Sequence, residues 1–336
     1  MRQEHFEKSS EQTWERFDEI AERLKSDGPR RPAGDVFAFP ALYRKICSHY
    51  ALCLSRRYSP ALVSRLHRRV LLGHQILYHR SGFRAARIVR FFSHTFPCAL
   101  RETASCFWVA LLLFLLPFIG TAAGCYFQQD LIYSIMGEEQ VAQMEYSYDP
   151  ANENFGRAPD KQQDTRIAMF GFYIRNNISI GFRTFAGGIL AGAGTVFFLV
   201  FNGIFLGAVS GHITRLGFTE TFWPFVSGHG AFELTAIVIS GAAGLVLVRA
   251  VIAPGNMWRI DALKQAAKKA VSLVLGAAAM LVLAAFIEAF WSPADLSASL
   301  KYAASAVFWT AVILYLALAG RGVRPEPRQA SLDRPQ

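Results

Sequence analysis

Residues 184–214 read TFAGGILAGAGTVFFLVFNGIFLGAVSGHIT, 31 positions without one Asp, Glu, Lys or Arg. An uncharged apolar run of about 18 or more residues is long enough to cross a bilayer as a helix. This one would extend about 46 Å at ~1.5 Å per residue, more than a single crossing needs. Four further tracts share its lack of charge, at 103–129, 234–248, 270–287 and 302–320. They lie in a chain of 336 residues that is 52% hydrophobic and 18% charged. That balance excludes an ordinary soluble enzyme and a disordered chain. The fold expected is all-α: a polytopic membrane helical bundle of about five apolar segments behind an N-terminal helical domain.

Charge divides the chain. Residues 1–102 hold 19 basic and 10 acidic residues and no long apolar run. The connector 130–183 has five basic and eight acidic residues. Basic flanks stay in the cytoplasm, which puts the front end inside and the connector outside. Residues 249–269 carry Arg249, Arg259, Lys264, Lys268 and Lys269 against Asp261, and the tail 321–336 has four basic and two acidic residues. Both read as cytoplasmic, yet five simple crossings from an inside start would put both outside. The run 234–248 is only 15 residues and follows Pro224, Gly228 and Gly230. A long run beside a short, Gly/Pro-interrupted one indicates a broken or re-entrant helix, here within 203–249. The domains expected are 1–102, a cytoplasmic basic helical domain with a juxtamembrane amphipathic helix; 103–320, the bundle with its external connector; and 321–336, a disordered tail.

In the front domain, Trp14, Phe17, Ala21 and Leu24 recur at helical spacing, as do Tyr43, Ile46, Tyr50 and Leu54, then Leu62, Leu66 and Val70. Ser59-Pro60 has the form of an N-cap and first helical residue. Residues 26–34 read as a loop. The outcome is a helical hairpin or three-helix bundle. Its arginines lack a nucleic-acid reader motif and fit a solvated face near anionic lipid. Phe83, Ile88, Phe91, Phe92 and Phe96 alternate with Arg84, Arg87, Arg90 and Arg101, as in a helix lying in the inner interface. Cys47, Cys53, Cys98, Cys106 and Cys125 form no C-x-x-C pair and read as reduced thiols.

Within the apolar half, Gly188 and Gly192, and Gly203, Gly207 and Gly211, recur every four residues. Such small faces allow close helix approach, within the chain or across a homo-oligomer seam. The polar candidates are His229, Glu233, Asn202 and Glu288. A carboxylate in the bilayer costs roughly 2.5–3.5 kcal/mol, so it faces a partner, water or a bundle interior. His229 and Glu233 are one helical turn apart, and the imidazole is the nearest donor the sequence offers that carboxylate. A structural pair, a proton or ion path and a metal site are all open. The metal reading is the weakest of the three, because no third ligand is in view and His-Glu-x-x-His is absent. Glu288, beside Trp291 and Pro293, has a simple exit to interfacial water. No metal, cofactor or catalytic set is expected. The connector 130–183 contains no His or Cys, and no phosphate-binding glycine motif appears.

Met169-Phe-Gly-Phe-Tyr-Ile-Arg-Asn-Asn-Ile178, Phe185-Ala-Gly-Gly-Ile-Leu190, Phe201-Asn-Gly203, Gly228-His-Gly-Ala-Phe-Glu-Leu234 and Ile287-Glu-Ala-Phe-Trp-Ser-Pro293 resemble the stage II sporulation protein M family. Leu42-Tyr43-Arg44, Tyr58-Ser-Pro-Ala-Leu-Val63 and Gly73-His-Gln-Ile-Leu-Tyr78 are similar to the front of its longer members. The resemblance implies a bacterial inner-membrane scaffold that recruits partners, cell-envelope proteins or an AAA+ ATPase among them. It supplies no catalytic residues. The alternative is a transporter or ion/proton-conducting protein using the intramembrane His and Glu residues.

Overall fold

The computed structural model describes residues 3–26, 33–78, 81–152, 154–189 and 192–321. The expected tail beyond Arg321 and residues 27–32 of the expected loop lie outside the described residues. The protein is all-helical and divides into two compact units, Met1–Arg87 and Ile88–Gln336.

The first unit is a three-helix bundle of α1 (Gln3–Ser26), α2 (Ala33–Ser55) and α3 (Pro60–Tyr78). The apolar stripes meet where their spacing puts them except at Leu54, which is left half exposed at the end of α2. Phe17, Ala21, Leu24, Ile46, Leu62 and Leu66 are all buried in one core. The Ser59 hydroxyl accepts from the Leu62 amide at 3.4 Å, and Pro60 opens α3 where a missing N–H costs nothing. Arg69 forks onto Asp18 (2.7 Å) and Arg65 reaches Glu7 (2.6 Å), clamping α3 to α1. Trp14 Nε1 donates to His49 Nδ1 at 3.1 Å. Burial and then Lys45 lower the His49 pKa, which keeps that nitrogen free to accept.

From α4 (Ser81–Arg90) the chain passes through a wider π turn, Phe91–Thr95, into α5 (Phe96–Glu102). Phe96 and Leu100 of α5 are buried in the core of the second unit. That unit continues with α6 (Ala104–Phe127), α7 (Leu131–Ile135), α8 (Glu138–Tyr148), α9 (Arg166–Ala186) and α10 (Ala193–Arg215). It closes with α11 (Thr219–Ile252), α12 (Arg259–Phe286) and α13 (Ala298–Leu318). Five helices, α6 and α10–α13, are long and apolar enough to cross a membrane, and the chain is a multi-pass membrane protein.

The seam between α6 and α10 fixes the topology. A Cβ added at Gly203, Gly207 or Gly211 would overlap the carbonyl oxygens of Phe114, Phe118 and Ala122 respectively. Both series advance by four in the same sense, so the two helices run parallel, with the start of α10 level with the start of α6. Thr121 Oγ1 donates across the seam to the Ile204 carbonyl at 3.1 Å.

A chain that leaves at the far end of α6 and re-enters at the near end of α10 must travel back between them. Helix α9 and the segment after it make that passage. Gly181 lies against Ser240 and Leu281, Gly188 against the Gly244 backbone, and Gly192 against Val248 near the end of α11. Gly192 sits at φ 88°, a left-handed turn that favours glycine and launches α10. Three arginines (Arg166, Arg175 and Arg183) hide α9 from a reading based on uncharged runs. Among the described residues α6 and α9–α13 thus make six passes along the bundle, and α5 and the end of α13 meet at one end of it. At the near end Arg101 donates to the Ala319 carbonyl (2.8 Å), Lys269 pairs with Glu102 (2.6 Å), and Arg249 meets Ser105 (3.1 Å).

The irregular backbone therefore lies at Gly187–Ile189 and at Gly192, not within 203–249. Residues 224–233 are continuous α-helix inside α11, because packing overrides the local cost of Pro224, Gly228 and Gly230. Pro224 lies in the second turn, and even a Cβ added at Gly228 would make only ordinary contacts with Ile287, Phe308 and Trp291.

Candidate functional site

Because α11 is unbroken, His229 and Glu233 project from one face, a turn apart. That face meets the end of α12, where residues Ile287–Trp291 form a π turn closed by the Ser292 amide on the Ile287 carbonyl (2.8 Å). Such single-turn bulges re-aim side chains. Here both Glu288 and Ser292 turn toward α11 instead of toward the membrane surface, so Glu288 does not take the exit its position suggests.

One ligand atom each from His229, Glu233 and Glu288 lie within 4.8 Å of one another. His229 is 6% exposed. Its Nδ1 pairs with Ser292 Oγ at 3.2 Å, while Nε2 stands 3.9 Å from Glu233 Oε2. The latter is ion-pair spacing, too long for a hydrogen bond. The imidazole is thus hydrogen-bonded to Ser292 through one nitrogen, with the Glu233 carboxylate at ion-pair distance from the other. Asn177 of α9 donates to Glu288 Oε2 at 3.5 Å. Lys301 of α13 is spent on the Ser292 carbonyl at 2.8 Å. Glu233 stands 16 residues before Arg249, about 24 Å along the helix, which sets the cluster toward the far end of an apolar layer ~30 Å thick.

The connector between α6 and α9 covers that end. Tyr148 stacks edge-on to Phe222 and Phe225, and the Phe225 ring meets the His229 ring at 5.8 Å. Tyr173 donates to the Gly156 carbonyl at 3.4 Å. Burial, and then Glu288 and Glu233, push the Tyr148 hydroxyl above its ordinary range. The connector is tied down by His212 Nε2 and Glu145 Oε1 at 2.7 Å and by Thr221 donating to the Tyr148 carbonyl.

The structure brings together His229, Glu233 and Glu288 but not Asn202. The Asn202 amide donates to the Phe198 carbonyl (2.6 Å) one turn earlier in its own helix. Gly203, Gly207 and Gly211 face α6, Gly188 faces α11, and Gly192 makes the turn into α10. Asn177 and Ser292 join the site unforeseen. Asn177 lies within the Arg-containing helix α9, and Ser292 is four residues beyond Glu288, a spacing whose meaning depends on the π turn. His212 and Glu145 are 67 positions apart, beyond any spacing rule. Chemically the cluster can share a proton between carboxylates or offer one nitrogen and two carboxylates to a cation.

Comparison with known proteins gives a family and no activity. A domain of unknown function, DUF8413, matches residues 4–79, the three-helix unit. An uncharacterized protein of Methanocaldococcus jannaschii is 27% identical over 150 residues, 42% of this chain and 82% of its own length. No solved structure matches. The family described as stage II sporulation protein M matches residues 110–293, from within α6 to just beyond the π turn of α12, and this covers more than half of the chain. The protein belongs to the stage II sporulation protein M family.

Proposed function

We propose that the protein is a non-catalytic assembly protein of the bacterial inner membrane that recruits partners on both faces. The observation that carries this reading is the folded lobe at the far end of the bundle, α7 and α8. It is anchored by His212–Glu145 and presents Glu138 and Glu139 to solvent. The three-helix unit, joined in sequence to the near end, supplies a second and basic recruiting element. Cell-envelope proteins fit the lobe, and a cytoplasmic partner such as an AAA+ ATPase fits the basic unit.

Six passages and the basic residues of the near end support a cytoplasmic location for both chain termini. In a cysteine-free background, a cysteine at Ser331 should stay unlabelled by an impermeant reagent in intact cells, while one at Gln140 reacts. Labelling at Ser331 would refute the six-passage topology.

A transporter or proton path is the second reading, favoured by the carboxylates of the cluster. The half of the bundle between the cluster and the near end argues against it. Ile237, Ile239, Ala243, Ala277 and Leu281 are buried there, and Thr195 is spent on the Thr184 carbonyl at 2.7 Å. Liposomes holding the protein should show no proton flux above that of empty vesicles. Flux that vanishes in Glu233→Gln would overturn the assembly reading.

A further inference from the structure

We propose that His229, Glu233 and Glu288 bind one divalent first-row transition-metal ion of the zinc or manganese type, clasping α11 to α12. This is independent of partner recruitment.

The first support is placement. Three ligand atoms from two helices already lie within 4.8 Å of one another. Ligands at ~2.0–2.2 Å from a tetrahedral ion stand about 3.5 Å apart, so the site closes by small rotations of two glutamate ends.

The second support is the histidine. It is nine-tenths buried, and its Nδ1 is fixed by Ser292 Oγ at 3.2 Å. Ser292 is itself held through its carbonyl by Lys301 at 2.8 Å. Nε2 faces Glu233 Oε2 across 3.9 Å, and the ring is further held by a hydrogen bond to the Phe225 backbone. A metal-binding histidine has this arrangement: one ring nitrogen oriented by a neighbour, the other facing the remaining ligands. Asn177 orients the Glu288 carboxylate in the same way.

The third support is charge. Among the described residues neither carboxylate has a lysine or arginine within ion-pair reach, and the one ammonium beside the cluster is spent on a carbonyl. A dication neutralises both carboxylates at once, whereas a shared proton neutralises one. The imidazole and the ligand number select the metal class. Calcium takes six to eight oxygens and magnesium keeps several waters, while a mixed nitrogen and carboxylate set suits zinc or manganese. Three protein ligands leave one position of a four-coordinate ion for water.

The test uses the untagged full-length protein in nanodiscs, stripped with chelator and dialysed against Zn2+. The expected result is one Zn2+ per chain. Its X-ray absorption spectrum should show oxygen and imidazole scattering and no sulfur. Glu288→Gln should weaken Zn2+ binding at least tenfold, while Glu220→Gln, exposed at the start of α11, leaves it unchanged. Substoichiometric binding, a sulfur shell from the cysteines, or a folded Glu288→Gln protein of undiminished Zn2+ affinity would each overturn the proposal. Should Glu288→Gln not fold, the stoichiometry and spectrum of the natural sequence decide the matter.

Discussion

Gly207→Leu is expected to abolish the monodisperse, folded protein in detergent, while Gly120→Leu leaves it intact. Both glycines lie in long apolar helices. A side chain at Gly120 meets nothing within 4 Å. At Gly207 even a Cβ collides with the Phe118 carbonyl oxygen and Thr121 Oγ1. Overpacking of one methylene costs roughly 1–3 kcal/mol, and here the obstacle is largely backbone, which cannot rotate away. The parallel pair would have to separate, losing the Thr121–Ile204 bond and the neighbouring approaches at Gly203 and Gly211. In lipid no hydrophobic force draws the helices back together, so lost packing has no substitute. Size-exclusion profiles and thermal unfolding of the two variants provide the comparison. Equal melting temperatures would mean that the glycine face does not hold α6 to α10.

Phe17→Ala should come close to unfolding the three-helix unit while sparing the bundle. Phe17 is fully buried, its ring stacks on Phe39 with centroids 5.2 Å apart, and Gly73 leaves room for it beside Tyr43. Truncating a buried Phe costs about 3–5 kcal/mol. A domain of this size has a stability of only about 5 kcal/mol or a little more. At 1.4 kcal/mol per tenfold, amide exchange in α1–α3 should quicken by roughly two to three orders of magnitude or more. Hydrogen–deuterium exchange on the full chain reads this directly, with α10–α12 as the internal reference. A change of less than tenfold in α1–α3 would show that Phe17 is not central to that core.

Much of this architecture is legible in the residues. Uncharged runs mark α6 and α10–α13, and apolar spacing marks α1–α3, because burial against lipid or a core leaves a periodic trace. Helix α9 escapes that reading. It packs one face on α11 and α12 and turns Arg175 and Arg183 outward, so its composition resembles a surface helix. Charge balance in the loops nevertheless demands an even number of crossings, which a re-entrant segment within 203–249 would satisfy as well as a sixth passage. That something departs from five simple crossings is readable, though what departs and where are not. The site divides in the same way. The one-turn spacing of His229 and Glu233 is local and readable. The arrival of Glu288 depends on a π turn, and that of Asn177 on the path of α9. Both are products of tertiary packing.

The parallel pairing of α6 and α10 also constrains how the protein is made. Helix α9 carries Arg175 and Arg183 on its exposed face, and each such charge costs roughly 2.5–3.5 kcal/mol at the centre of a lone inserted helix. As it leaves the ribosome, α9 is thus a poor stop for the translocation machinery. Helix α10 follows within a few residues and is strongly apolar, so insertion of the two as a hairpin, α9 carried in by its successor, is the expected route. At Gly192, whose left-handed backbone opens α10, the chain turns into the second helix of that hairpin.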